Sequence, residues 1–358
     1  MKLFNLNKKK ILYTKFYITF LFLSFNYLNL INQSKIKKKI GVISLAHSNN
    51  IGNILLKYAI FIKLYQLGYD PYIVGMKYKN HNISLLEQYT KVRIINNNFS
   101  EIKENEFDIL MVNSDQTWRK WDKYFYDIAF LKFAKYWNKP KLVYAASLGL
   151  DNWEFSKHDE NIAIELLKNF TGISVREIGS VKLIKNHLGI KSEFVLDPTL
   201  LINKKYYLNL IKDFKNDVII DNTFIFVYSV SSSNRLKKKL IKIGQKYKIY
   251  YINTKVENQI KKFIYGISNC KGVVTDSFHG TVFSIIFNKP FITFIDENRG
   301  KGRLNTLKDL FNLPNRFIEF NSSPNIELLE KPLIISKNVL KFNRRKSINF
   351  LKNNLKKY

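Results

Sequence analysis

GVVTDSFHGTVFSIIFNKPFITF, residues 272–294, sets the fold class. Residues 272–274 form a short apolar strand that ends in the polar turn Thr275, Asp276, Ser277. Residues 278–287 are apolar nearly throughout, too long a run for one strand, and predict a buried helix. Residues 291–294 begin a second strand. Two strands joined by a helix run parallel, because such a crossover returns the chain to the same end of the sheet.

The same cycle recurs on both sides of this unit. Strands are expected at 40–45, 72–75, 107–112, 141–146, 172–175, 192–196, 223–228 and 248–252. Helices are expected at 54–67 (closed by Gly68), 179–187, 236–247, 303–311 and 337–357. A charge-rich break at 213–222 separates two rounds of alternation. The expected fold is therefore α/β, with two Rossmann-like domains facing a cleft. Residues 1–38 form an extension, 39–215 the first domain and 216–330 the second. A basic C-terminal helix, 331–358, crosses back to the N-terminal domain.

Composition narrows the function. At 46% hydrophobic and 15% aromatic, the chain can bury a large core, which excludes wholesale disorder. A single cysteine, Cys270, excludes a disulfide framework and a cysteine-rich zinc site. The net charge of +31 suggests a polyanion partner, but 18 of those charges lie in residues 1–39 and 331–358, which contain no acid. Only nine arginines accompany the lysines, and Lys, Asn, Ile, Phe and Tyr are all abundant, as an A/T-rich genome would encode. No nucleic-acid reading module is present, so no nucleic-acid partner is expected. Lys8, Lys9, Lys10 and Lys15 precede an apolar stretch at 16–31. That stretch reads as a short membrane anchor, an export signal or an added extension, with membrane association through residues 11–32.

In open α/β sheets, ligands bind beyond the carboxyl ends of the strands. Asn50, Asp115, Gln116, Ser147, Arg176, Ser231, Ser232 and Asp276 with His279 all follow expected strands. His279 can move a proton near neutral pH, or it is a capping or core histidine. Asp276 is either its orienting partner or a helix cap. Arg176 suits a carboxylate or phosphate, or it pairs with a neighbouring acid. Asp115 and Gln116 can bind sugar hydroxyls while Trp118 stacks on a sugar face; alternatively they fix a loop. Ser231–Ser233 cradle a phosphate or cap a helix. The remaining histidines, His47, His81, His158 and His187, read as structural or surface residues.

These residues lie in strings that resemble one family. TDSFHGTVFSIIFNKPFI (275–292) looks like the hallmark of the polysaccharide pyruvyl transferases. NNIGN (49–53), NSDQTW (113–118), YAASLG (144–149), SVRE (174–177) with LDPTLL (196–201), RLNTLKDLF (303–311) and RRKSINFL (344–351) follow the family's order. The resemblance runs from about residue 39 to the C-terminus. It implies a GT-B-like fold and transfer of a pyruvyl unit from phosphoenolpyruvate to a sugar of a cell-surface polysaccharide. It implies phosphoenolpyruvate as donor substrate with no separate cofactor and no metal, and a sugar or lipid-linked oligosaccharide as acceptor. Its functional residues map onto Arg176 and His279, with Phe278 at a donor-site position often held by Leu.

The candidate catalytic residues are thus His279, Arg176 and Asp115. Candidates for substrate binding are Phe278, Gly280, Asp276, Ser231, Ser232, Asn50, Asn53, Gln116 and Trp118. Asn113 replaces a usual Gly, and Leu56 and Ile60 replace common Gln, which puts the acceptor side in question. Two rival readings stand beside this one. A GT-B glycosyltransferase would use Asp276, Asp296 or Glu297 to bind the ribose of a nucleotide sugar, and a non-catalytic relative would only bind glycans. Because phosphoenolpyruvate is made in the cytosol, the catalytic domains are expected in the cytoplasm, or in a Golgi type II arrangement in a eukaryotic host.

Overall fold

Strands of this chain pair in parallel throughout, as helical crossovers require. The computed structural model describes residues 37–45, 50–76, 84–96, 98–120, 124–214, 223–230, 234–252, 258–296 and 300–356. The first sheet contains β1 (Lys39–Ile43), β2 (Asp70–Met76), β3 (Val92–Ile95), β4 (Ile109–Val112), β5 (Lys141–Ala146), β6 (Gly172–Val175) and β7 (Glu193–Phe194). Their order is β3-β2-β1-β4-β5-β6-β7. The second contains β8 (Ile225–Tyr228), β9 (Ile249–Ile252), β10 (Gly272–Thr275), β11 (Phe291–Ile295) and β12 (Phe317–Glu319), in the order β12-β11-β10-β8-β9. Each order reverses once, between β1 and β4 and between β8 and β10, and these reversals are where ligands bind in such sheets.

The longer helices are α1 (Ile51–Gln66), α2 (Lys157–Leu167), α3 (Ile178–Leu188), α4 (Asn234–Gly244), α5 (Gln259–Asn269), α6 (Phe278–Phe287), α7 (Lys301–Leu310) and α8 (Lys337–Leu355). Where an element is expected, its strand end or helix start agrees to within a few residues; helices α2 and α5 have no counterpart among the expected ones. Two edge strands, β3 and β12, were not expected. Both are short and carry a charge (Arg93, Glu319), which weakens the apolar pattern and also protects an edge from stray pairing.

Both lobes belong to one compact unit, Lys39–Tyr358. A single hydrophobic cluster contains Ile40 and Tyr144 of the first sheet and Phe226 and Phe283 of the second half. Tyr207 packs edge-on against Phe283 with ring centroids 4.8 Å apart. Helix α1 lies within this layer and is buried continuously from Ile51 to Ile60. The outer faces of the two sheets are covered separately, around Trp118 and Phe130 in one lobe and Val227 and Phe294 in the other.

Helix α8 returns to the first lobe, as expected. Its buried positions Ser347, Phe350, Leu351 and Leu355 recur at helical spacing and make one inward face. Ser347 Oγ accepts from the Leu196 amide at 2.9 Å and donates to the Asn343 carbonyl at 2.7 Å. Arg344 Nε donates to the Leu200 carbonyl at 2.7 Å. The last helix therefore clamps the segment that follows β7. The expected extension 1–38 lies almost wholly outside the described residues, as does most of the expected boundary at 213–222. Among the described residues, no helix is long and apolar enough to cross a membrane.

The Ser347 bridge can be tested directly. Ser347→Ala leaves the buried Leu196 amide without its partner and should cost about 1–3 kcal/mol. A urea midpoint lowered at unchanged slope would show this; an unchanged midpoint would deny the bridge its role.

Candidate active site

Arg176 stands at the end of β6, where its backbone N–H donates to the Ala146 carbonyl at 3.1 Å. Its side chain has no solvent exposure. A buried guanidinium needs neutralising. Nη1 donates to Asp197 Oδ2 at 2.7 Å and Nη2 to Asp115 Oδ1 at 2.9 Å. Both carboxylates are themselves held. Asp197 Oδ1 accepts from the Thr199 amide at 3.0 Å and the Thr199 hydroxyl at 2.6 Å. Asp115 Oδ2 accepts from Asn53 Nδ2 at 3.0 Å, from the first turn of α1. Asp115 adopts φ 88°, a left-handed conformation rare outside glycine, and such strain gathers at functional positions. Burial alone would raise the Asp115 pKa, but Arg176, His279 and Arg303 together with the Asn53 amide hold it well below the usual carboxylate range.

His279 approaches from the other lobe, in the first turn of α6. Ser277 caps that helix, its hydroxyl accepting from the Gly280 amide at 3.3 Å. One edge of the imidazole faces Gly52 so closely that a Cβ there would lie 2.2 Å from Nδ1. Only glycine at position 52 lets α1 and the ring share this space. Nε2 lies 3.9 Å from Asp197 Oδ2 and has no hydrogen-bond partner among the described residues. It is the ring atom left to engage a reactant. Burial pushes the His279 pKa below the ordinary imidazole value, against the opposing pull of Asp197 and Asp115. The resting ring is therefore neutral at neutral pH.

Phe278 fills the space between two cations. Its ring centroid is 4.6 Å from the Arg176 guanidinium and 5.5 Å from that of Arg303 on α7. Arg303 is itself buried, and burial together with the nearby Arg176 charge pushes its pKa down to about 10. With its amide turned so that the oxygen faces α7, Gln116 accepts from both terminal nitrogens of Arg303, at 2.6 and 2.9 Å. This contact joins the lobes, as does the Ile178 N–H donating to Thr306 Oγ1 at 3.2 Å. Lys57, one turn beyond Asn53, is 1% exposed and donates to the Leu45 carbonyl at 2.9 Å. Burial brings its pKa down to about 7, partly countered by Asp115.

The structure brings Arg176, His279, Asp115, Asn53, Phe278 and Gln116 together. Four expectations need correction. Trp118 is fully buried, its indole N–H donating to the Ala129 carbonyl at 3.1 Å, so it cannot stack on a sugar. Gly280 serves packing rather than ligand approach: a Cβ there would meet Thr275 Oγ1 at 2.2 Å. Asp276 accepts from the Ser229 hydroxyl at 2.8 Å and the Val230 amide at 2.9 Å, fixing the end of β8; the carboxylate beside His279 is Asp197. Asn50 caps α1, accepting from the Asn53 amide at 3.1 Å.

Ser231 and Ser232 lie outside the described residues, as do Asn49, His47, His81 and Glu297. The unusual residues Asn113, Leu56 and Ile60 are all fully buried, so those departures are absorbed in the first lobe's interior. Asp197, Arg303 and Lys57 are the members that strand-end reasoning did not single out.

Removing the guanidinium strands two buried carboxylates. Arg176→Met should destabilise the fold by about 3–5 kcal/mol, and Arg176→Lys by less, as measured by urea unfolding. The acid limb has a definite sign. Asp115 titrates lower in the folded chain than in the unfolded one, so it stabilises the fold above about pH 4 and loses that contribution as pH falls. Asp115→Asn should therefore lose less stability than the parent between neutral and acid pH, and equal losses would contradict the assignment.

Known proteins bear on this arrangement. No curated protein matches the chain significantly in sequence. Several solved structures share its fold. UDP-GlcNAc 2-epimerase from Neisseria meningitidis, bound to UDP-GlcNAc, is 12% identical, with TM-score 0.56 over 88% of this chain and 100% of that one. The S. aureus MnaA–UDP co-structure is 14% identical, with TM-score 0.52 over 89% and 97%. HepE from Anabaena in complex with UDP is 12% identical, with TM-score 0.51 over 89% and 100%. At such identities the likeness is one of fold, and the fold is the two-lobed GT-B arrangement of parallel sheets. The family described as polysaccharide pyruvyl transferase matches residues 50–298, a span that holds Asn53, Asp115, Arg176, Asp197 and His279. With most of its length matched and that span enclosing the buried cluster, the chain belongs to the polysaccharide pyruvyl transferase family.

Proposed function

We propose that this chain transfers a pyruvyl group from phosphoenolpyruvate to a sugar of a cell-surface polysaccharide or glycan, closing a ketal across two hydroxyls. The observation that carries this reading is the meeting of Arg176 and His279, from different lobes, at the same carboxylate, Asp197. A family fold and a cluster of basic, protonatable side chains at the strand ends are what a small anionic enol ester needs.

In this reading Arg303 and Arg176 supply positive charge for the donor's carboxylate and phosphate. Arg176 is shared by two acids, and Arg303, held against Gln116, adds a second guanidinium on the other side of Phe278. Entry of the anion raises the His279 pKa, because a nearby negative charge favours the imidazolium. Nε2 then delivers its proton to the methylene carbon of the donor, which becomes a methyl group. The cationic centre left at the enol carbon is attacked by one sugar hydroxyl, whose proton passes to the site. The bond from that carbon to the phosphate oxygen breaks with its electron pair. A second hydroxyl adds to the same carbon. The two hydroxyl protons end on the methyl carbon and on the released phosphate, so the step balances. Asp115, held ionised, orients or deprotonates the acceptor. The acceptor is a sugar or a lipid-linked oligosaccharide, and the catalytic lobes work in the cytoplasm, where the donor is made.

Incubation of the purified chain with phosphoenolpyruvate and a sugar acceptor should release inorganic phosphate and add the mass of one pyruvate ketal to the acceptor. His279→Ala should slow this about 100- to 10,000-fold while remaining folded. Release of a nucleoside diphosphate from a nucleotide sugar, or undiminished turnover in a folded His279→Ala variant, would sink the proposal.

A further inference from the structure

Helix α8 has two unlike faces. The inward one clamps the first lobe through Ser347, Phe350, Leu351 and Leu355. The outward one carries Lys341, Phe342, Arg345, Lys346, Lys352 and Lys356, all exposed. At 3.6 residues per turn these six fall within about 140° of arc, opposite the buried face. The acid-free stretch 331–358 contributes no carboxylate to offset them. Among the described residues, no ion pair involves any of the five cations. Elsewhere on the surface some lysines do find an acid: Lys91 pairs with Asp70, Lys135 with Glu165 and Lys157 with Glu160.

Phe342 stands in the middle of this face and is 67% exposed. Ile334, just before the helix, is 85% exposed. A merely solvated helix face mixes both signs of charge and gains nothing by presenting a phenyl ring. A face of one sign with protruding apolar side chains fits a surface that is anionic outside and apolar beneath.

We propose that the outward face of α8 docks on an anionic phospholipid bilayer, with Phe342 entering the headgroup region and the five cations meeting lipid phosphates and carboxylates. The partner is identified by charge complementarity together with the exposed ring; a soluble polyanion would satisfy the cations but not Phe342. Docking here has a consequence for the site. Arg344 and Ser347 on the inner side of the same helix hold Leu200 and Leu196, which flank Asp197. A bound bilayer would thus lie about one helix diameter, ~10 Å, from the segment that carries Asp197. The inference does not depend on the reaction proposed above.

Phe342→Cys in the full chain, labelled at the introduced thiol with an environment-sensitive fluorophore, reads this contact directly. Cys270, 2% exposed, does not compete for the label. Ile241→Cys on α4, another basic helix with an equally exposed apolar residue, is the comparison site. With vesicles of phosphatidylcholine and phosphatidylserine, the label at 342 should shift to the blue, and with phosphatidylcholine alone it should not. The label at 241 should stay unchanged. Replacing Lys341, Arg345 and Lys346 together with Glu should weaken the interaction read at 342 about 100-fold, and molar salt should weaken it in the parent.

Four results would overturn the proposal. One is silence of the 342 label on anionic vesicles, whether or not the chain sediments with them through other residues. The others are an equal shift at 241, a shift produced by RNA or heparin but not by vesicles, and indifference to the charge reversal.

Discussion

A guanidinium shut away from water between two carboxylates fixes most of what surrounds it. Arg176 ends β6, Asp115 follows β4, and Asp197 follows β7, so one side chain ties together three separate strand ends. None of the three is tolerable alone at that depth. A buried charge without its partner costs several kcal/mol, which is why the cluster forms as a whole or not at all. The left-handed backbone at Asp115 lies beside that of Ala145, whose amide donates to the Ser174 hydroxyl and whose carbonyl accepts from the Ser114 hydroxyl. What the ion cluster supplies is geometry more than stability, since a packed apolar substitute would hold a fold at least as well.

Onto this frame the second lobe adds two rings and one cation. His279 enters beside Asp197, and Arg303 reaches Gln116 around the edge of Phe278. The proton affinity of each group depends on members of the other lobe. Asp197 and Asp115 raise the histidine that burial lowers, and Arg176 lowers Arg303. Any change in the spacing of the lobes therefore alters several titrations together, a coupling expected wherever charged groups share a dry space.

The rule that polar residues at strand ends mark a site singles out Arg176, His279 and Asp115, three side chains that the fold brings to one place. It failed where position along the chain does not reveal depth. Trp118 sits among polar neighbours, yet its indole is inside, its N–H spent on the Ala129 carbonyl. Asp197 precedes a proline, an ordinary turn signature, and its importance arises only when β6 and α6 arrive beside it. Arg303 lies in the first turn of the helix after β11, past the short polar turn that the rule inspects. Lys57 occupies a mostly apolar helix, where a lysine reads as the solvent side; its ammonium instead finds a main-chain carbonyl. In each case the missing information was which segments meet, which single-chain periodicity does not contain.

Helix α8 gives the molecule an unusual order of completion. The earlier of the two lobes is covered by residues that follow the second one, because the Leu196 amide, the ring of Tyr144 and the Leu200 carbonyl all wait for α8. Chains emerge from the ribosome N-terminus first, and domains ordinarily fold in that order. Here the early lobe cannot finish until α8 has been made, so a nascent chain carries an open seam beside its future Asp197 while the second lobe is being synthesised.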